Sequence, residues 1–143
     1  EPMLHEKHIR VFQNLPNPVN VLTTHSAWLM SSLVMGANGL LSGAGSVIAP
    51  LQVRLFNAIK NNNLEEAKDI NNKIFPLVQL FYKPPFLDMH NRMKETLVIL
   101  NAIQKAVVRP PLVKLPFKEI EELKKTVNNI NSDNQLNFVK TVA

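Results

Sequence analysis

GANGLLSGAGSVIAP, residues 36–50, holds all four glycines of the chain: Gly36, Gly39, Gly43 and Gly45. Small residues around the apolar pair Leu40 and Leu41 describe a strand that starts near Gly39. It runs into a loop whose backbone must approach something closely. Upstream, VNVLTT (19–24) is short, β-branched and set off by Pro16 and Pro18, which predicts a strand buried on both faces, as in a parallel sheet. The intervening SAWLMSSLVMG predicts a helix that Ser26 caps and Gly36 closes in the left-handed conformation. Strand, helix and strand make a βαβ unit.

Residues 1–15 predict a helix, with Pro2 in its first turn and Leu4, His8, Val11, Phe12 and Leu15 on one face. Beyond Ala49 the pattern is helical. Pro50 opens a helix carrying Leu51, Leu55, Ala58 and Ile59, which the run Asn61 to Asn63 ends. Asn63 then caps a helix with Glu66 in the capping-box position, and Leu64, Ala67, Ile70, Ile74, Leu77 and Phe81 share a side. Pro76 lies inside that helix and should bend it. After YKPPF (82–86), a helix from about Pro85 shows Met89, Met93, Leu97 and Leu100, a methionine stripe of the kind cores use. RPPLVKLP (109–116) must run extended, because each proline also restricts the residue before it. A last amphipathic helix carries Phe117, Ile120, Leu123, Val127 and Ile130, and the tail from Asn131 is expected to fray.

The chain has 143 residues, enough for one core, and 45% are apolar, which excludes a disordered class. It contains no cysteine, so a disulfide framework and a thiolate metal site are excluded, and a reducing, cytoplasmic location fits. No apolar run reaches the roughly 18 to 20 residues a bilayer requires, and the charged N-terminus does not read as a secretion signal. The net charge of +5 is spread along the chain, with Lys124 and Lys125 beside Glu121 and Glu122, so it reads as a solvated surface and not as a nucleic-acid footprint. His5 and His8 lie one turn apart near Glu1 but lack a third ligand at helical spacing, and no metal or cofactor is expected.

Two parallel strands with apolar faces need neighbours that this chain does not supply in sufficient number. The incompleteness is resolved if they are the last two strands of a (β/α)₈ barrel, a fold of about 250 residues. GANGLLSGAGSVIAP, the helix LEEAKDINNKIFPL leading to a PP loop, and the RPPL-x-x-L connection before a final helix come in an order that resembles one family. It is the C-terminal half of the dihydrodipicolinate synthase and N-acetylneuraminate lyase family, the pyruvate-handling class I aldolases. The resemblance runs from the first helix to about Ile130. The expected fold is therefore α/β, the C-terminal portion of a TIM barrel followed by a helical extension. Its divisions are 1–60 as the barrel end, 61–130 as the C-terminal helical region and 131–143 as a tail.

The resemblance implies a lyase or aldolase that forms a Schiff base between a lysine on the sixth strand and pyruvate or another 2-keto acid. A tyrosine on an earlier strand relays protons, and a hydroxyl pair on a loop binds the carboxylate. These positions precede the part that resembles this chain, so no catalytic residue is expected here. A substitute lysine would have to be desolvated and point into the barrel mouth, and no lysine lies between Arg10 and Lys60, the interval with both strands. What the resemblance assigns here is substrate binding: Thr24 and His25 at the end of the first strand, against the distal part of the substrate, and Leu41, Ser42 and Gly43 at the end of the second, against the pyruvate moiety. Thr24 and His25 depart from the family's glycine followed by acidic or polar residues. His25 could instead simply begin a helix, and Gly43 and Gly45 could serve only a tight turn. The expected partners are a small-molecule 2-keto acid and a complementing N-terminal half or a second copy of the chain, with no nucleic acid and no membrane. The alternative function is a non-catalytic half-barrel that serves as an oligomerisation or interaction module.

Overall fold

A computed structural model describes residues 2–131 together with Leu136. Helix α1 (Pro2–Gln13) is followed by strand β1 (Leu22–Thr23), a 3₁₀ turn (Ser26–Trp28) that leads into α2 (Leu29–Val34), and strand β2 (Gly39–Leu40). Then come α3 (Gly45–Lys60), α4 (Leu64–Tyr82), a 3₁₀ turn (Phe86–Asp88), α5 (Met89–Ile99) and α6 (Phe117–Ile130). The tail expected to fray lies, apart from Asn131 and Leu136, outside the described residues.

The two strands pair in parallel, Leu22 with Gly39 and Thr23 with Leu40, so the βαβ reading holds. The Leu41 amide donates to Thr23 O and the Asn38 amide to Val21 O, each at 2.8 Å, which extends the pairing one step at both ends. The regular strand is nevertheless shorter than residues 19–24 and is not buried on both faces. Thr23 is buried against the helix layer, whereas Val19 and Leu22 are 52% and 48% exposed. Among the described residues each strand has one neighbour, and the face that carries Leu22 is left partly uncovered.

Gly36 closes α2 at φ +104°, a conformation that side chains resist, as expected. The cap at the other end differs. The His25 ring accepts from the Ala27 amide (3.3 Å), while Ser26 is buried and bonded elsewhere. The apolar face read for α1 differs too. Ile9 is the residue of α1 in the core, and Gln13 ties the helix to the α2–β2 turn by donating to Gly36 O (2.5 Å) and Asn38 Oδ1 (3.0 Å). Leu4, Val11, Phe12 and Leu15 are between 39% and 49% exposed, because the described residues place nothing opposite that stripe.

Helix α3 begins earlier than expected, at Gly45, and is interrupted at Ile48 (φ −115°, ψ 22°). The straight part opens there, and Pro50 falls in its first turn, where a missing N–H costs nothing. Asn63 caps α4 as predicted: Asn63 Oδ1 accepts from the Glu66 amide (3.2 Å), and its Nδ2 donates to the Glu66 carboxylate (3.0 Å). Ala67, Ile70, Ile74, Leu77, Val78 and Phe81 of α4 are buried at helical steps, whereas Leu64, in the first turn, is 47% exposed. Helix α4 contains Pro76 and packs against α3, α5 and α6, so it is the centre of the helical layer. Each of its large apolar side chains contributes roughly 1.5–3 kcal/mol of burial.

Met93 of α5 is buried, and Met89, Leu97 and Leu100 pack partly on the core. The same helix also buries Asn91, Arg92, Glu95 and Thr96. Arg92 is fully buried. Its Nε donates to Glu119 Oε1 (2.5 Å), and its two terminal nitrogens face the carbonyls of Phe81 (3.1 Å), Lys83 (2.5 Å), Pro84 (3.4 Å) and Pro85 (3.2 Å). The guanidinium thus holds the YKPPF loop onto α5 and α6. Residues 109–116 run without helix, as expected, with Leu115 buried and Val113 O accepting from Asn91 Nδ2 (2.6 Å). In α6, Leu123, Val127 and Ile130 face the core, but Phe117, which starts the helix before it reaches the core, is 77% exposed.

Candidate functional site

In a parallel βα layer the loops that leave the carboxyl ends of the strands carry the chemistry. Here those loops are Thr24–His25 after β1 and Leu41–Ser42–Gly43 after β2. The parallel register sets them side by side, and Ser26 Oγ meets Ser42 Oγ at 2.5 Å across the gap. Two further groups converge on these hydroxyls. Gln52, buried in α3, donates from Nε2 to Ser42 Oγ (3.0 Å), and the phenol of Tyr82, the last residue of α4, lies 3.1 Å from Ser26 Oγ. The Tyr82 ring also stacks on the His25 imidazole with centroids 4.8 Å apart and planes at 27°.

A cleft of about 620 Å³ runs along β1 between α1 and α2, lined by His5, Leu22, Thr23, Thr24, His25, Trp28 of the 3₁₀ turn and residues of α2 that include Ser32. On its floor Thr23 Oγ1 donates to Ser32 Oγ (3.0 Å), which also meets His5 Nε2 (2.8 Å). His5 is therefore engaged with a serine hydroxyl. Among the described residues no group of three or more His, Asp or Glu side chains could hold a metal ion.

The five residues singled out from sequence are divided. Thr24 and His25 line the cleft; Leu41, Ser42 and Gly43 lie outside its lining, and Ser42 bonds instead to Ser26, the residue that follows His25. Leu41 is 69% exposed. Gly43 does not need to be glycine for the fold, since a Cβ there would meet Met93 at an ordinary 3.7 Å and its φ is not positive. Gly43 O accepts from the Ser46 amide (3.2 Å) and hydroxyl (2.9 Å), so the turn that leads into α3 also forms. His25 does begin a helical turn, and it is also half-buried at the mouth of the cleft. Ser26, read from sequence only as a helix cap, and Gln52 and Tyr82 were not read as site residues. The signal that could have pointed to them is that the chain's one tyrosine ends the apolar face of α4 directly before a Pro-Pro loop.

A parallel βαβ unit with polar loops gathered at its strand ends and helices packed on one face is an α/β arrangement, the unit from which βα barrels and open parallel sheets are both built. The chain belongs to the dihydrodipicolinate synthetase family, whose model matches residues 4–130. Comparison with curated proteins gives no match. Among solved structures, dihydrodipicolinate synthase from Thermotoga maritima superposes with a TM-score of 0.81 at 19% identity, over 92% of this chain and 43% of that one. YagE, a prophage protein of the dihydrodipicolinic acid synthase family from E. coli K12 in complex with pyruvate, gives 0.78 at 20% identity, over 92% and 43%. Dihydrodipicolinate synthase from Bacteroides thetaiotaomicron gives 0.76 at 21%, over 90% and 43%. The chain thus spans less than half the length of the solved structures it matches. Among the described residues no helix is long and apolar enough to cross a membrane.

Proposed function

We propose that this chain is the C-terminal wall of a Schiff-base-forming lyase or aldolase that acts on pyruvate or a related 2-keto acid. In this reading β1 and β2 are the last two strands of the barrel, residues 1–60 its end and 61–130 a C-terminal helical region. The observation that carries the reading is the meeting of the two strand-end loops through Ser26 and Ser42 in a chain of this family. The pyruvate bound by YagE, a protein of similar fold, supports the class of substrate.

The reactive amine belongs to the complementing part of the barrel. Among the described residues no lysine stands on β1 or β2 or lines the cleft, and Lys83, which follows Tyr82, is held by Glu122 (2.7 Å). The amine adds to the keto carbon and water leaves, giving an imine that draws electrons from the neighbouring carbon and so permits its bond to a proton or to a second carbon to break or form. This chain's part is to bind and orient. Leu41, Ser42 and Gly43 flank the pyruvate moiety, with the Ser42 hydroxyl as a donor, and Thr24 and His25 face the distal fragment from the other loop. A complementing N-terminal barrel half covers the exposed stripe of α1 and the free edge of β1, and the full assembly is a homo-oligomer.

Borohydride reduction in the presence of pyruvate, followed by intact mass, tests this. The expected result is no adduct on this chain alone and an adduct on the complementing half when the two are combined. A stable adduct on the isolated chain would place the reactive amine within it and overturn the assignment.

A further inference from the structure

We infer that Tyr82 and Gln52, which stand on the helices and not at strand ends, fix the direction of the hydrogen bonds around Ser42, so that its hydroxyl is free to donate to an anionic oxygen of the bound 2-keto acid. The inference rests on the functional reading above and adds two positioning residues to it.

A hydroxyl has one proton to give and two lone pairs with which to accept. Gln52 Nε2 can only donate, so its 3.0 Å contact uses one lone pair of Ser42 Oγ. The Ser42–Ser26–Tyr82 chain (2.5 and 3.1 Å) can run either way. A phenol O–H is a stronger hydrogen-bond donor than an aliphatic one, because the ring draws electron density from its oxygen. As the better donor it gives its proton to Ser26, and Ser26 passes its own to Ser42. Ser42 then accepts twice, its lone pairs are filled, and its remaining O–H must find an acceptor. Among the described residues none is bonded to it. Ser42 is half-buried, so an acceptor from outside the chain can reach this proton. Ser26 is buried and satisfied in both roles. The reverse direction would leave the proton on Tyr82, whose ring is committed to its stack with His25 and whose partner among the described residues is Ser26. The arrangement is suited to recognition: a donor whose direction is set before the ligand arrives spends no reorganisation on binding it.

The test is a double-mutant cycle in the protein that carries the whole barrel, with pyruvate as the probe and the concentration for half-maximal borohydride trapping as the readout. Tyr82→Phe keeps the ring and its stack and removes only the hydroxyl group. It should raise that concentration roughly tenfold, the worth of one directed hydrogen bond. Ser42→Ala should raise it by a similar factor. In the Ser42→Ala background, Tyr82→Phe should then change it by less than about twofold, because the tyrosine acts through the serine. Gln52→Leu, the second variant, should show the same dependence on Ser42, and melting temperatures separate loss of fold from loss of binding. Equal effects of Tyr82→Phe in both backgrounds, or no effect in either, overturn the inference and leave the functional reading intact. A wild-type barrel that gives no pyruvate adduct overturns both.

Discussion

Replacing Arg92 by lysine keeps the charge and removes the planar fork, and the geometry says what that costs. The guanidinium reaches Glu119 on one side and four carbonyls of residues 81–85 on the other. A single ammonium cannot span both sides, because its three donors radiate from one atom. The variant must give up either the carboxylate or most of the carbonyls, in a place where the arginine is fully buried and Glu119 is 17% exposed. Losing about two charge-assisted hydrogen bonds at roughly 1.5 kcal/mol each gives a loss of about 3 kcal/mol. That is a large share of the roughly 5–15 kcal/mol that holds a domain together. With a urea slope of about 2 kcal/mol/M, the unfolding midpoint should fall by about 1.5 M. Urea titration of the chain by circular dichroism reads this directly. Combining Arg92→Lys with Glu119→Gln should cost at least about 1 kcal/mol less than the sum of the two singles, since both remove the same contact. A midpoint shift under about 0.3 M, or strict additivity, would show that the loop is held by something other than this arginine.

Three further outcomes follow from local geometry. Asn63→Ala removes the α4 cap and should cost about 1 kcal/mol, read as a lower melting temperature. Gly36→Ala, at φ +104°, should cost about 1–2 kcal/mol, whereas Gly43→Ala should change unfolding by less than about 0.5 kcal/mol; a weaker hold on pyruvate in Gly43→Ala would therefore report on the ligand and not on the fold. Val11→Asp, on the exposed stripe of α1, should leave the melting temperature of the isolated chain within about 0.5 kcal/mol of wild type yet reduce co-elution with the complementing barrel half in size-exclusion chromatography; destabilisation of the chain alone by more than about 1 kcal/mol would contradict the burial described for α1.

What could be read in the sequence was mainly what local rules govern. The Asn63 cap, the left-handed Gly36, the extended 109–116 connection and the parallel βαβ order depend on residues a few positions apart. The face of α1 was misread because Leu4, Val11, Phe12 and Leu15 have no counterpart among the described residues, while Ile9 finds the core alone. The strand over 19–24 contracted to Leu22–Thr23 for the same reason, since a strand is regular only where it is paired. Arg92 between Met89 and Met93 reads as a solvated position. Its burial depends on carbonyls 7 to 11 residues upstream, which leave no mark in a pattern of side chains. At the candidate site, Thr24, His25, Leu41, Ser42 and Gly43 all stand at strand ends. Ser26 passed for a helix cap, and Tyr82, 56 residues away, was invisible as its partner because only the folded α4 brings them together.

The strands are two residues long, while α3, α5 and α6 all pack on α4. The order in which parts of the chain open should reflect this. Amide hydrogens of α4, at the centre of the helical layer, should exchange with solvent only when the whole unit unfolds. Those of Leu41 and Asn38, which close the short ladder, should exchange through local openings of far lower free energy. The loops proposed to meet a ligand thus hang from an easily opened seam of the molecule, and filling the site should slow exchange at these amides while leaving α4 nearly unchanged.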